Sequence, residues 1–262
     1  MSSRTALRAA ALAVSALALT ACNDPGGATA GSAAPSATVP AAASAAAGKP
    51  STPASAPAAD HGLDSPPPGQ ARVAGLALAP WEWGNGFQQN AKAYEDTVLD
   101  LEVLDASCHL KGAVRPSGLT GRIQRTVQLP RASGGGYLSV FGSTEAEVFG
   151  SADAAHRDFA TARADGKRCP SSTDDLTGDR YSGTHEVKAP TVAGADEAYA
   201  EEGTVVFTLE GGKKTDPLPY VYLAARKGEV TLDVFVDMED GQGVAAARTY
   251  AAEAFRTLTI KF

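Results

Sequence analysis

Aromatic residues make up only 6% of this 262-residue chain, isoleucine occurs only at Ile123 and Ile260, and there are four histidines and three cysteines. Each shortage excludes something. Three cysteines and scattered histidines provide none of the paired spacings that hold structural zinc. The formal net charge is −7, so the chain lacks the basic footprint of a nucleic-acid binder. No G-x-S-x-G, phosphate-binding loop, H-E-x-x-H or dinucleotide fingerprint is present, and no cofactor is expected. Gly134-Gly135-Gly136 stands before a strand pattern, not a helix, and reads as a hairpin loop. No run is long and apolar enough to cross a bilayer as a helix. Scarce isoleucine beside plentiful Ala, Gly and Arg points to a GC-rich coding genome.

The first residues carry the best-defined chemistry. Arg4 and Arg8 precede an apolar run over 9–19 that only Ser15 interrupts. This is the pattern of a secretory signal peptide. It ends in Leu19-Thr20-Ala21-Cys22, which resembles the lipobox of bacterial lipoproteins. The resemblance implies a diacylglycerol thioether on Cys22 and cleavage before it, making 1–21 the signal peptide and membrane lipid a partner through diacylglyceryl-Cys22. Two acyl chains anchor a protein stably without a transmembrane helix. An ordinary secretory signal with a stray cysteine is the competing reading.

Residues 22–72 read as a tether. Of the 50 residues in 23–72, 40 are Ala, Ser, Pro, Gly or Thr, and nine of the 16 prolines fall here. Such a segment buries too little apolar surface to offset its ordering entropy. Asp60 and His61 within it read as solvated residues.

The folded domain is expected over 73–262, a length that buries a sizeable core. A helix is predicted over 152–165, with Ser151 as N-cap, Ala155, Phe159 and Ala162 on one face, and Gly166 as C-terminal cap. A second is predicted over 244–257, with Val244, Ala247, Ala251 and Phe255 on one stripe. Strands are predicted over 123–129, 137–141, 204–209, 220–225 and 230–236, with Lys227-Gly228 turning the last hairpin. Strands in runs, with one helix after the early strands and one at the C-terminus, define an α+β domain with a mostly antiparallel sheet.

With Cys22 assigned to lipid, Cys108 and Cys169 remain as a pair in an oxidising compartment, and a disulfide is expected. It would tie the end of the first, helical or irregular region to the end of the 152–165 helix. A metal site of both thiolates with His109 is the alternative and lacks a known spacing, so no metal is expected.

The stretch Tyr137-Leu-Ser-Val-Phe-Gly-Ser-Thr-Glu-Ala-Glu-Val-Phe-Gly-Ser-Ala-Asp-Ala-Ala, followed by the helix and Lys167-Arg168-Cys169, resembles the extracellular sensor domain of PknH-like actinobacterial Ser/Thr kinases and their lipoprotein relatives. The resemblance spans most of 73–262. It implies a non-catalytic, ligand-binding domain with a cleft beside a twisted sheet. The chain departs from the kinase sensors in having no kinase domain, no membrane span and one cysteine pair where they have two.

That fold would expose Thr231, Asp233, Phe235 and Asp237 to the cleft, because Val230, Leu232, Val234 and Val236 alternate with them. A polar outer face with one incidental Phe is the bland reading. Trp81, Trp83 and Phe87 either fill the core or line a cleft. Asp237, Glu239, Asp240 and Gly241 read as a solvated turn before the last helix. His156 is expected to face solvent, and His185 and Glu186 to point to opposite faces. The function expected is a lipid-anchored sensor-like domain outside the cytoplasm, not an enzyme, taking an unknown small molecule. The alternative is a module that docks another envelope protein through an exposed apolar patch.

Overall fold

The computed structural model describes residues 68–90, 93–130, 140–239 and 243–262. The chain opens with two short helices, α1 (Pro68–Val73) and α2 (Pro80–Trp83). Short strands β1 (Gln88–Gln89) and β2 (Glu95–Asp96) lead to β3 (Leu101–Leu104) and β4 (His109–Val114). Two long strands follow, β5 (Leu119–Leu129) and β6 (Val140–Phe149), and then helix α3 (Ala152–Arg168). The rest is β7 (Ser172–Asp174), β8 (Arg180–Glu186), β9 (Glu197–Val206), β10 (Leu218–Lys227), β11 (Val230–Met238) and helix α4 (Gly243–Thr259). The class is α+β. The strands form one 11-stranded sheet in the order β1-β5-β6-β11-β10-β9-β8-β7-β4-β3, with β2 also beside β5. Pairing is antiparallel except between β4 and β7.

One face of this sheet is apolar. Ile123, Val127, Ala146, Val148, Val221, Leu223, Leu232, Val234 and Val236 point to it, and α4 covers it with Ala247, Ala251, Phe255 and Leu258. Trp83 joins this layer by lying over Gly142, where a Cβ would fall 2.5 Å from the indole ring. Phe87 bridges Trp83 and Tyr250 of α4, at 5.5 and 5.9 Å between ring centres. Of the two tryptophans, Trp83 is therefore core, whereas Trp81 is 79% exposed.

The sheet curls toward its other face. Laid flat, the nine strand spacings from β2 to β3 would cover about 43 Å. Only residues 97–100 connect these strands, and that length of chain spans at most about 18 Å. The two edges must therefore approach one another. Arg122 shows the direction of the curl. It shares a face with Gln124 and Thr126, and its guanidinium reaches Asp96 Oδ2 at 2.7 Å and the Val98 carbonyl at 3.0 Å. The crossing segment thus lies over the Arg122 face, which is concave. α3 packs on this side too, setting Phe159 among Tyr181, Tyr199, Tyr222 and Phe235. Its first turn joins Leu101, Leu119 and Phe149.

Several boundaries differ from the sequence reading. α1 falls within the expected tether, yet Gly69 and Val73 are buried, and Gln70 exchanges side-chain hydrogen bonds with the Arg122 backbone. The fold therefore takes in residues from Pro68 onward. α3 runs through Gly166 to Arg168 instead of ending at a glycine cap. Gly166 is there for close approach: a Cβ would meet the Tyr199 hydroxyl at 2.5 Å. The β10–β11 turn is Gly228-Glu229, one residue later than expected, because Lys227 pairs with Val230. Gly228 adopts the left-handed φ of 57° that this turn position needs. The triple glycine and residues 137–139 of the expected 137–141 strand lie outside the described residues.

Candidate functional site

Helix α3 ends at Cys169, which is bonded to Cys108 with the Cα atoms 5.5 Å apart. Cys108 sits in the turn between β3 and β4, at the end of a region that the sequence left as helical or irregular and that forms strands. The crosslink joins this hairpin to the end of α3, with Cys169 fully buried and Arg168 bonded to the Asp105 carbonyl at 2.9 Å. Among the described residues no group of three His, Cys, Asp or Glu is arranged to hold a metal ion. His109 instead pairs with Asp175 at 2.7 Å.

The concave face carries the candidate site. Register places Ser143 opposite Phe235, Glu145 opposite Asp233 and Glu147 opposite Thr231. On the other side of β11, Tyr220 lies opposite Asp237 and Tyr222 opposite Phe235. Gln124 of β5 lies opposite Glu145. The four residues singled out from the sequence, Thr231, Asp233, Phe235 and Asp237, thus share one face with Ser143, Glu145, Glu147, Tyr220 and Tyr222. They do not line an open cleft. Phe235 is 1% exposed, stacks on Tyr220 with ring centres 5.4 Å apart, and serves as a core ring below α3. Thr231, Asp233 and Asp237 are buried as well. Asp237 belongs to the strand, and not to a solvated turn; Asp240 and Gly241 lie outside the described residues.

Buried polar groups in proteins normally pair. Here one pair is well made: Arg122 Nε and Nη2 donate to the two oxygens of Glu145 at 2.7 and 2.8 Å. Burial works against the guanidinium charge, but Glu145 and Asp96 outweigh it and hold its pKa above the ordinary arginine value. Others are not paired. Gln124 Nε2, Ser143 Oγ, Thr231 Oγ1 and both carboxylate oxygens of Asp237 are shut off from water with no hydrogen-bond partner among the described residues. Burial, aided by the nearby charge of Glu239, pushes the Asp237 carboxyl well above the usual range, so it tends to keep its proton.

The remaining candidates lie at the surface. His156 Nδ1 is 2.7 Å from Glu197, which also accepts from Arg226 at 2.6 Å. His185 contacts the Gly183 carbonyl, whereas Glu186 pairs with Arg163 and Lys167 of α3, so the neighbours separate as expected. Cys22, Asp60 and His61 lie outside the described residues. The sequence reading missed Gln124, Ser143, Glu145, Glu147 and Arg122. The alternation of Ser143, Glu145 and Glu147 with Thr144, Ala146 and Val148 was the one signal for the three β6 residues.

The chain matches no family model and no curated protein. Among solved structures it is similar to the extracellular domain of PknH from Mycobacterium tuberculosis, with 16% identity and a TM-score of 0.46 over 74% of this chain and 98% of that one. A likeness of that size leaves function to be read from this chain's own residues.

Proposed function

We propose that this protein is a lipid-anchored, extracytoplasmic binding domain that holds a polar ligand against the concave face of its sheet and performs no chemistry on it. One observation carries the binding reading: Gln124, Ser143, Thr231 and Asp237 place unpartnered polar atoms on a single buried face. An unsatisfied buried donor or acceptor costs about 1–3 kcal/mol, so several on one face favour a ligand that supplies the missing partners. Thr231 and Asp237 would orient it. A protonated Asp237 donates one hydrogen bond and accepts another, which suits hydroxyl or amide groups. The Cys108–Cys169 bridge fits an oxidising compartment, and the lipobox-like Leu19-Thr20-Ala21-Cys22 supplies the anchor. Among the described residues no helix is long and apolar enough to cross a membrane.

Native mass spectrometry of the full-length protein extracted from its membranes tests the binding reading. A bound small molecule should appear on the wild type and be depleted at least tenfold in Asp237→Asn and Thr231→Val. Bare protein masses, with no bound molecule on any of the three, would refute it. A second reading, docking of an envelope protein, is favoured by the exposure of Trp81, a residue type enriched in interface hot spots. Loss of a co-purifying protein in Trp81→Ala, with no small molecule on the wild type, would select that reading.

A further inference from the structure

Where the chain crosses between the two edges of the curled sheet, it borders an open cavity of about 560 Å³. Asp96, Val98 and Glu102 line it from the crossing side, Ala113 from β4, Arg122 from β5 and Leu176 from the turn after β7. The volume suits a small molecule. It shares Arg122 with the concave row described above but none of the residues assigned there to the ligand.

Glu102 sets its chemistry. Both of its carboxylate oxygens are shielded from water and lack a hydrogen-bond partner among the described residues. Burial, and then the charge of Asp174, raises its pKa to about 7. Further carboxylates surround it: Asp96 of β2 and Asp100 of the crossing, each paired with an arginine, and Asp174 on β7, with Asp179 close enough to feel the Asp174 charge. The nearby cations are already paired, two of them with Asp96 and Asp100 themselves, which leaves Glu102 and Asp174 without a cation among the described residues. Arg122 pairs with Glu145 and Asp96, Arg115 with Asp100 at 3.3 Å, and Lys111 with Asp105 at 2.6 Å. The rest of the lining includes two exposed apolar side chains, Val98 at 57% and Leu176 at 79%.

We propose that this cavity binds a small amphipathic amine, its ammonium group against Glu102 and its apolar part against Val98 and Leu176. An ammonium supplies the donors that Glu102 lacks and lowers the local repulsion, whereas an anion would be repelled by the same carboxylates. A bound metal ion fits the site less well, because the described residues gather no set of three ligands there.

Calorimetric titration of the full-length protein with hexylammonium, hexanol and hexanoate at pH 8 tests this. Hexylammonium should bind at least tenfold more tightly than hexanol, and hexanoate should not bind. Glu102→Gln should reduce amine affinity at least tenfold, to the level of hexanol. Leu176→Ala should weaken amine and alcohol alike several-fold, and Glu253→Gln on the far helix should change nothing. Because the ammonium competes with the Glu102 proton, amine affinity should fall about tenfold per pH unit below pH 7. Absence of hexylammonium binding, equal affinity for amine and alcohol, or undiminished amine affinity in Glu102→Gln would overturn the proposal. Should Glu102→Gln fail to fold, the pH profile and Leu176→Ala decide in the same way.

Discussion

A carboxyl group buried without partners keeps its proton, and Asp237 is held that way by burial first and by Glu239 second. The consequence for stability has a definite sign. A carboxyl whose folded-state pKa lies above its unfolded value contributes stability at low pH, and that contribution is lost as pH rises through the folded pKa. Asp237→Asn should therefore raise the melting temperature at pH 8 and leave it nearly unchanged at pH 4, in protein refolded from denaturant so that no ligand remains. Calorimetry at the two pH values checks this. Arg122 presents the opposite case. Its bidentate bond to Glu145 is buried on both sides, so removing one partner strands the other charge at a cost of about 3–5 kcal/mol. Arg122→Met should lower unfolding free energy by that amount in urea titration. Adding Glu145→Leu should recover most of it, because the stranded charge is then gone.

The elements differ in how plainly the sequence announces them. α3 and α4 were legible because Ala155 and Phe159, and Ala247, Ala251 and Phe255, repeat at helical spacing, and both helices do bury those residues. β11 was legible because valines alternate along it. β6 and the first half of β9 were not, because their concave positions carry Ser143, Glu145, Glu147 and Glu201, and an inward polar residue cannot be told from an outward one by pattern alone. The candidate site was legible only in part: alternation along β11 singled out Thr231, Asp233, Phe235 and Asp237 as facing a cleft, whereas the curl of the sheet encloses them, and Ser143, Glu145 and Glu147 beside them gave no comparable signal. That curl depends on the short 97–100 crossing and on pairings between strands distant in sequence, such as β4 with β7. The disulfide needed only the cysteine count. It closes a loop with a sequence separation of 61, and a Cys108→Ser/Cys169→Ser double variant should lose about 2–5 kcal/mol of stability. Thermal melts of oxidised and double-variant protein measure the loss; equal midpoints would show that the β3–β4 hairpin and α3 are held together by packing alone.

At the scale of the whole molecule, the curled sheet keeps its apolar face under α4 and turns its polar face inward, and the lipid anchor at Cys22 is a proposal. The anchor is tested by Cys22→Ala, which should abolish fatty-acid labelling and release the protein from the membrane fraction; continued labelling would contradict it. The proposed binding face is the inward one, where the oxygens of Ser143, Thr231 and Asp237 and the nitrogen of Gln124 lack partners among the described residues. A crystal structure of the protein purified from its own membranes, without refolding, measures this most directly. Non-protein electron density is expected within hydrogen-bonding distance of Asp237 and Ser143. The contradicting result is a face closed by the protein itself, with those four side chains bonded to neighbouring residues and no density between them.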